Sequence, residues 1–205
     1  MLMKGVAATI AFALLSGCAG DAAPPPANSD ASLRNELLRR VTQDQAIRDT
    51  VMGSMRNAAG IPDSAIARRM RAVDAGNTAW LMRVVGPGNW FTTKRVGRDG
   101  MKAAFLLLQH SDSSVQDQLL PTIKRSFVVG EVSGQEFALL SDRVATSFGR
   151  PQTFGTQGDI KDGRVLFYPI EDSIGVDARR AKMGMMPLRE YAALLDSMYV
   201  RTPSR

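Results

Sequence analysis

Met101-Lys102-Ala103-Ala104-Phe105-Leu106-Leu107-Leu108-Gln109-His110 is the stretch that decides the fold. It is apolar on nearly every side as far as Gln109, so it is a buried helix or a buried strand. Composition separates the two. Ala, Leu and Met are good helix formers, and nothing in the run is β-branched. The stretch predicts a central helix ending at His110.

Toward the N-terminus, residues 32–55 carry Leu33, Leu37, Val41, Val51, Met52 and Met55 at three-to-four spacing, which predicts a helix with Ser32 as its cap. Asp44, Gln45 and Arg48 interrupt that stripe, and Asp44 and Arg48 stand one turn apart. A second helix follows Pro62, with Asp63 as its cap and Ile66, Met70, Val73, Leu81 and Val84 facing inward. Asn77 sits on its apolar stripe, and Gly86-Pro87-Gly88 stops it.

Toward the C-terminus, a helix from Asp112 or Ser114 to Val129 contains Pro121, which removes one backbone hydrogen bond and predicts a kink. Ser133 and Glu136 have the spacing of a capping box and open a helix that Gly149 ends. Asp162-Gly163 before Val165-Leu166-Phe167-Tyr168 predicts a small hairpin. Short helices over 176–183 and 187–199 close the chain. The expected fold is mainly α: a single helical domain of about six to seven helices with one short β-hairpin near the C-terminal third.

The first 17 residues have one cation, Lys4, then an apolar run from Gly5 to Leu15, then Leu15-Ser16-Gly17-Cys18. A charged start, an apolar middle and small residues at a cut site describe a secretory signal peptide. The run is shorter than the roughly 20 apolar residues of a membrane-spanning helix. Its ending resembles a bacterial lipoprotein signal. That resemblance implies cleavage before Cys18, lipidation of Cys18 and attachment to a membrane of the cell envelope. Ala19 is not the Asp that retains many such proteins in the inner membrane, so the resemblance favours the outer membrane, facing the periplasm. The expected organisation is a signal peptide over 1–17, a lipidated cysteine and proline-rich linker over 18–31, and a helical domain over 32–200.

Cleavage leaves 188 of the 205 residues, enough for a well-buried core. Hydrophobic residues make up 44% and charged residues 22%, the balance of a globular fold. The net charge is +6, with Arg68, Arg69 and Arg71 its densest cluster. The basic residues are not interleaved with aromatics, so no nucleic-acid partner is expected. Cys18 is the only cysteine, so no disulfide within the chain is possible.

Several motifs of the domain resemble a bacterial family of uncharacterised proteins. The positions that carry the likeness are Asp44-Gln45-Ala46-Ile47-Arg48, Gln109-His110-Ser111-Asp112, Asp142-Arg143, and Gln152-Thr153-Phe154-Gly155-Thr156-Gln157. Pro169-Ile170-Glu171-Asp172, Val176-Asp177-Ala178-Arg179-Arg180 and Pro187-Leu188-Arg189-Glu190-Tyr191 complete it. Three positions depart from the family pattern: Asn89-Trp90-Phe91 replaces Gly-Trp-Pro, Ser111 replaces Ala, and Phe154 replaces Tyr. The resemblance brings no activity with it.

One histidine and one lipid-bound cysteine exclude paired-histidine zinc motifs, cysteine-rich zinc sites and cysteine nucleophiles. No Gly-x-Ser-x-Gly elbow and no phosphate-binding Gly-x-x-x-x-Gly-Lys loop occurs. No metal and no cofactor is expected.

A set of polar residues remains at positions where apolar ones belong: Asp44, Gln45, Arg48, Asn77, His110 and Asp112. Burying each unpaired costs about 1–3 kcal/mol, so they are expected to meet one another, water or a ligand. They suggest a polar cleft with Asp142, Arg143, Gln152, Thr156 and Gln157 at its rim. One reading makes His110 a general acid or base, oriented by Asp112 or Asp142, with Arg48 or Arg143 holding an anionic group. The other is structural, with His110 capping a helix end and Asp142-Arg143 tying helices together. The expected function is that of a membrane-anchored binding or interaction module for a small polar or anionic ligand or an envelope protein. The alternative is an envelope hydrolase using His110.

Overall fold

The structure, a computed structural model, describes residues 30–57, 64–86, 88–161 and 164–199. The signal segment, Cys18, the proline linker, the Asp63 cap and the Asp162-Gly163 turn lie outside them. The described residues form seven α-helices and one antiparallel hairpin. They fall into two compact units, one ending at Val132 and one beginning at Ser133. No described helix is long and apolar enough to cross a membrane.

The first unit holds α1 (Ala31–Asn57), α2 (Ser64–Val85), α3 (Thr93–Gln109) and α4 (Ser113–Val128). α1 is capped by Asp30 rather than Ser32, because Asp30 Oδ1 accepts the Leu33 amide at 3.0 Å. Its buried positions are Leu37, Asp44, Ile47 and Val51, whereas Met52 is 53% exposed. The stripe thus runs through Ile47 and through the aspartate itself.

α3 is the buried helix expected from its composition, with Ala103, Ala104, Phe105, Leu107 and Leu108 all enclosed. It starts eight residues earlier than the apolar run. Gly97, at φ 71° and ψ 169°, breaks its first turn from the rest. A side chain there would bring Cβ within 2.9 Å of Asp99 Oδ1 in a backbone region that L-residues avoid.

Two ties fix α3 against α1. Arg34 Nε donates to Asp99 Oδ1 at 3.0 Å, and a second bond joins Arg34 Nη2 to Asp99 Oδ2. His110 Nδ1 meets Asp44 Oδ2 at 2.8 Å. The ties are ten residues apart on α1 and eleven on α3, so the helices run in the same direction with nearly equal rise. α2 runs against α1, since Arg40 reaches Asn77 while Arg48 reaches Asp74 and Met70. Pro121 lies inside α4 and cannot supply a helical amide hydrogen there.

The second unit holds α5 (Gly134–Ser147), β1 (Gly158–Lys161), β2 (Arg164–Phe167), α6 (Val176–Lys182) and α7 (Leu188–Tyr199). The capping box at Ser133 and Glu136 is present in both directions. The hairpin register pairs Gly158 with Phe167 and Lys161 with Arg164. Val165 packs with Tyr191 and Leu195, and the Phe167 and Tyr191 rings stack at 5.9 Å. Asp196 of α7 accepts the Val165 amide at 2.8 Å, so this helix also satisfies a backbone group of β2. α7 begins at Leu188, with the Pro187 carbonyl accepting the Tyr191 amide at 3.0 Å; Pro187 therefore caps the helix instead of opening it.

Candidate functional site

The polar residues of α1 face α2 and the end of α3. Asp44 is fully buried at the centre. Its Oδ2 takes Gln45 Nε2 at 2.7 Å, His110 Nδ1 at 2.8 Å and Arg48 Nε at 3.3 Å, and its Oδ1 takes Arg48 Nη2 at 3.2 Å. Gln45 has an exposed position on the helix, and its side chain folds back to reach the carboxylate. Arg48 also donates through Nη2 to Asp74 Oδ1 at 2.6 Å and through Nη1 toward Met70 Sδ at 3.5 Å.

Charge follows from these contacts. Burial alone raises the Asp44 carboxyl, but the hydrogen bonds and charges of His110 and Arg48 outweigh it and hold the group below the usual aspartate range. Asp74 goes the other way. Burial pushes its carboxyl up, Asp44 and Asp112 add to the rise, and Arg48 opposes it. Arg48 is therefore shared between two carboxylates, and at most one of its five N–H groups, on Nη1, is left over.

The proton on His110 follows from its neighbours. Nδ1 is 2.8 Å from Asp44 Oδ2 and 3.0 Å from Arg48 Nε. It cannot donate to one and accept from the other with a single hydrogen or a single lone pair. Ionised Asp44 only accepts, so the hydrogen lies on Nδ1, and the Arg48 Nε–H, fixed in the guanidinium plane, is left with Asp44 Oδ2 at 3.3 Å as its acceptor. In the neutral ring this leaves the lone pair on Nε2. Nε2 makes no hydrogen bond to a described residue, although the side chain is only 7% exposed.

Asn77 belongs to the same α1–α2 seam, beyond Asp74 from Arg48. Its Oδ1 accepts Arg40 Nη1 at 3.1 Å, and its buried Nδ2 finds no partner among the described residues. Arg40 also lies over the Trp80 ring at 4.6 Å. Asp112 precedes α4 as its N-cap, yet its exposed side chain caps no amide. The carboxylate against His110 is thus Asp44. Asp74 and Gln116 were not singled out in the sequence. Asp74 stands three residues before Asn77 on the same apolar stripe, which was the available signal. Gln116 is buried, and its Nε2 donates to Leu108, Gln109 and Ser111 carbonyls at 3.3, 3.0 and 2.9 Å, closing the end of α3 on which His110 sits.

Asp142, Arg143, Gln152, Thr156 and Gln157 lie in the second unit. Fully buried Asp142 accepts the amides of Thr153, Phe154 and Thr156 and the Thr156 hydroxyl, all between 2.8 and 3.1 Å. Burial raises its carboxyl and those donors pull it back. With both oxygens taken, its role within this unit is to anchor the loop. Gln152 bridges the same loop, donating to the Gln157 and Tyr168 carbonyls and accepting the Gln157 amide. Gln157 Nε2 donates to Thr156 Oγ1 at 3.0 Å. Arg143 is half-buried on α5, and its backbone carbonyl accepts Thr146 Oγ1 at 3.2 Å.

Arg180, 1% exposed, holds the loop from its carbonyl side. It donates to Phe154, Gly155 and Met186 carbonyls and lies over the Tyr191 ring at 4.8 Å. Val176 and Arg180 are buried one turn apart on α6, so helical spacing places the arginine on the inner face. Among the described residues no cluster of three His, Cys, Asp or Glu side chains is arranged to hold a metal ion.

The described residues form a helical fold. Residues 31–202 match the family of unknown function DUF6624, and the chain belongs to that family. No curated protein and no solved structure matches it.

Proposed function

We propose that the protein is a lipid-anchored component of the bacterial cell envelope whose helical domain binds a polar ligand, or a polar group of an envelope partner, at His110. The anchor reading rests on Leu15-Ser16-Gly17-Cys18, with the outer membrane, facing the periplasm, favoured by Ala19. The binding reading rests on one observation: a buried carboxylate fixes Nδ1 of a nearly buried imidazole and leaves Nε2 without a described partner.

The same geometry favours a second reading, hydrolysis with His110 as general base. A carboxylate on one imidazole nitrogen fixes the tautomer and so the direction in which the other nitrogen offers its lone pair. Asp44 would then be the positioning residue, in place of Asp112 or Asp142.

His110→Gln separates the readings. Gln retains hydrogen-bonding groups but cannot act as a base. A variant with unchanged melting temperature that loses its envelope phenotype supports a role for His110 beyond folding. If turnover of envelope esters or amides by the wild type also disappears, hydrolysis is the better reading. If the variant unfolds, or keeps the phenotype, His110 serves the fold alone.

A further inference from the structure

We infer that the outer face of α2 is a second membrane contact, which lays its arginines against anionic phospholipid head groups. The inference rests on the reading of Cys18 as a lipid anchor and is independent of His110.

Arg68, Arg69, Arg71 and Arg83 are all exposed on α2. Arg68 Nη1 donates to Ser64 Oγ at 3.5 Å, and the other three make no hydrogen bond or ion pair with a described residue. Residues 63–85 hold these four arginines against Asp63 and Asp74, and Asp74 is taken by Arg48 at 2.6 Å. The α1 cations that meet α2 are also paired, Arg48 with Asp44 and Asp74, and Arg40 with Glu36 at 2.7 Å. The exposed Asp49 of α1 lies about 100° round that helix from Arg48 and about 180° from Arg40, so it points away from α2.

The face is flat as well as basic. Arg68, Ala72, Ala75, Ala79 and Arg83 follow one another at three or four residues and form one line along the helix, with Arg69 and Arg71 on its two sides. Among the described residues, none of the exposed large apolar side chains lies on α2. A face without an apolar anchor lacks what usually holds a protein partner. It suits a plane of phosphates, each of which a guanidinium can grip with two hydrogen bonds.

The tether reaches far enough. Arg40 meets Asn77 and Arg48 meets Asp74, so the start of α1 lies at the Arg83 end of α2. Asp30 comes 12 residues after Cys18, and a chain of that length spans up to about 40 Å. α2, with 22 residues, is about 33 Å long. The whole arginine face can therefore reach the membrane that holds the lipid, and tethering raises its effective concentration there.

The lipidated full chain carrying Ala75→Cys is isolated from cell membranes and labelled with a fluorophore at that thiol. It is inserted into vesicles of phosphatidylcholine alone or with about one third phosphatidylglycerol. A lipidated Cys18 has no free thiol, so one label per chain is expected. Quenching by acrylamide, a neutral quencher, is expected to fall with the anionic lipid and to return when salt screens the charges. Arg68→Gln, Arg69→Gln and Arg71→Gln together are expected to weaken docking about a hundredfold, about fivefold for each arginine, and so to abolish the protection. Gln forms helices as readily as Arg, and circular dichroism checks that the helix content is kept. Equal quenching in both vesicle types overturns the inference and leaves the face to solvent or to an acidic protein. Protection that survives the triple substitution overturns the role of the arginines. Two labels per chain show a free Cys18 thiol, which overturns the anchor reading and this inference with it.

Discussion

His110 Nδ1 lies 2.8 Å from Asp44 Oδ2, although the two residues are 66 positions apart in the chain. This contact joins the middle of α1 to the end of α3 and sets the direction of the imidazole. Asp44 also holds Arg48 and Gln45, so its removal strands three polar partners at once. Asp44→Ala is expected to destabilise the protein by about 3–5 kcal/mol, the usual cost of breaking a buried charged pair from one side. Denaturant unfolding followed by circular dichroism measures it. A loss below about 1 kcal/mol, as at an exposed pair, would mean that the cluster is not structural.

Asp44 and Asp74 should respond to acid in opposite directions. The Asp44 carboxyl is held low in the folded chain, so the unfolded chain binds that proton more readily. Its stabilisation is present above about pH 4, the unfolded aspartate value, and is lost as pH falls through the lower folded value. The Asp74 carboxyl is raised, so its ionised form opposes folding at neutral pH and the opposition is relieved as pH falls through the folded value. Unfolding free energy measured from pH 7 to pH 3 should show the Asp44→Asn deficit shrinking with acid. Asp74→Asn should be no less stable than wild type at pH 7. A loss of stability in Asp74→Asn at pH 7 would show that its pairing with Arg48 outweighs its burial.

Asp142 is the anchor of the 152–157 loop. Asp142→Asn replaces an acceptor oxygen by an amino group facing amide donors, and each stranded donor costs about 1–3 kcal/mol. Amide hydrogen exchange at Thr153, Phe154 and Thr156 is expected to accelerate together, ahead of α5. Unchanged protection at those three amides would show that Arg180 and Gln152 hold the loop without the carboxylate.

Gly155 is needed in the same loop by conformation and by space. Its φ is +68°, and an added Cβ would lie 2.8 Å from Leu188 Cδ1 and 3.1 Å from Ile170 Cδ1. Gly155→Ala is expected to lower stability by about 1–3 kcal/mol, chiefly from the left-handed backbone, because the crowding methyls sit at the ends of flexible side chains. Thermal unfolding detects it. A variant as stable as wild type would place the backbone strain elsewhere.

Cys18→Ser tests the anchor without touching the described domain. A protein with acyl chains on its N-terminal cysteine stays with membranes, and one without them has no comparable apolar segment left after cleavage. The variant is expected to leave the membrane fraction for the soluble fraction or to persist as uncleaved precursor. Intact mass of the wild-type N-terminus should carry the lipid increment. An unmodified Cys18 in a membrane-bound wild type would reject the lipoprotein reading.

Local chemistry made most of the fold legible. The Met101–Gln109 run named the central helix, the Ser133–Glu136 spacing named a capping box, and the β-rich run after Asp162-Gly163 named the hairpin. Asp30 and Ile47 were missed on α1, because a helical stripe can be phased about one residue either way until a neighbour fixes it. Gln116 and Arg180 were missed because each closes a distant segment through backbone carbonyls, and sequence carries no mark of those acceptors.

By itself, the sequence determined that helices dominate, that Asp44, Arg48, Asn77 and His110 interrupt apolar stripes, and that the only thiol stands in a lipoprotein-like signal. Those properties depend on residues within a few turns of one another. Only the tertiary structure decided that His110 faces Asp44 instead of Asp112, and that Asp74 takes up the guanidinium of Arg48. The physical reason is register. Helical periodicity places a side chain on a face, while the partner across that face depends on how two helices slide and turn against each other. The part-buried Arg34–Asp99 tie, across 65 residues, and the buried Asp44–His110 tie, across 66, set that register together with the packing of α3.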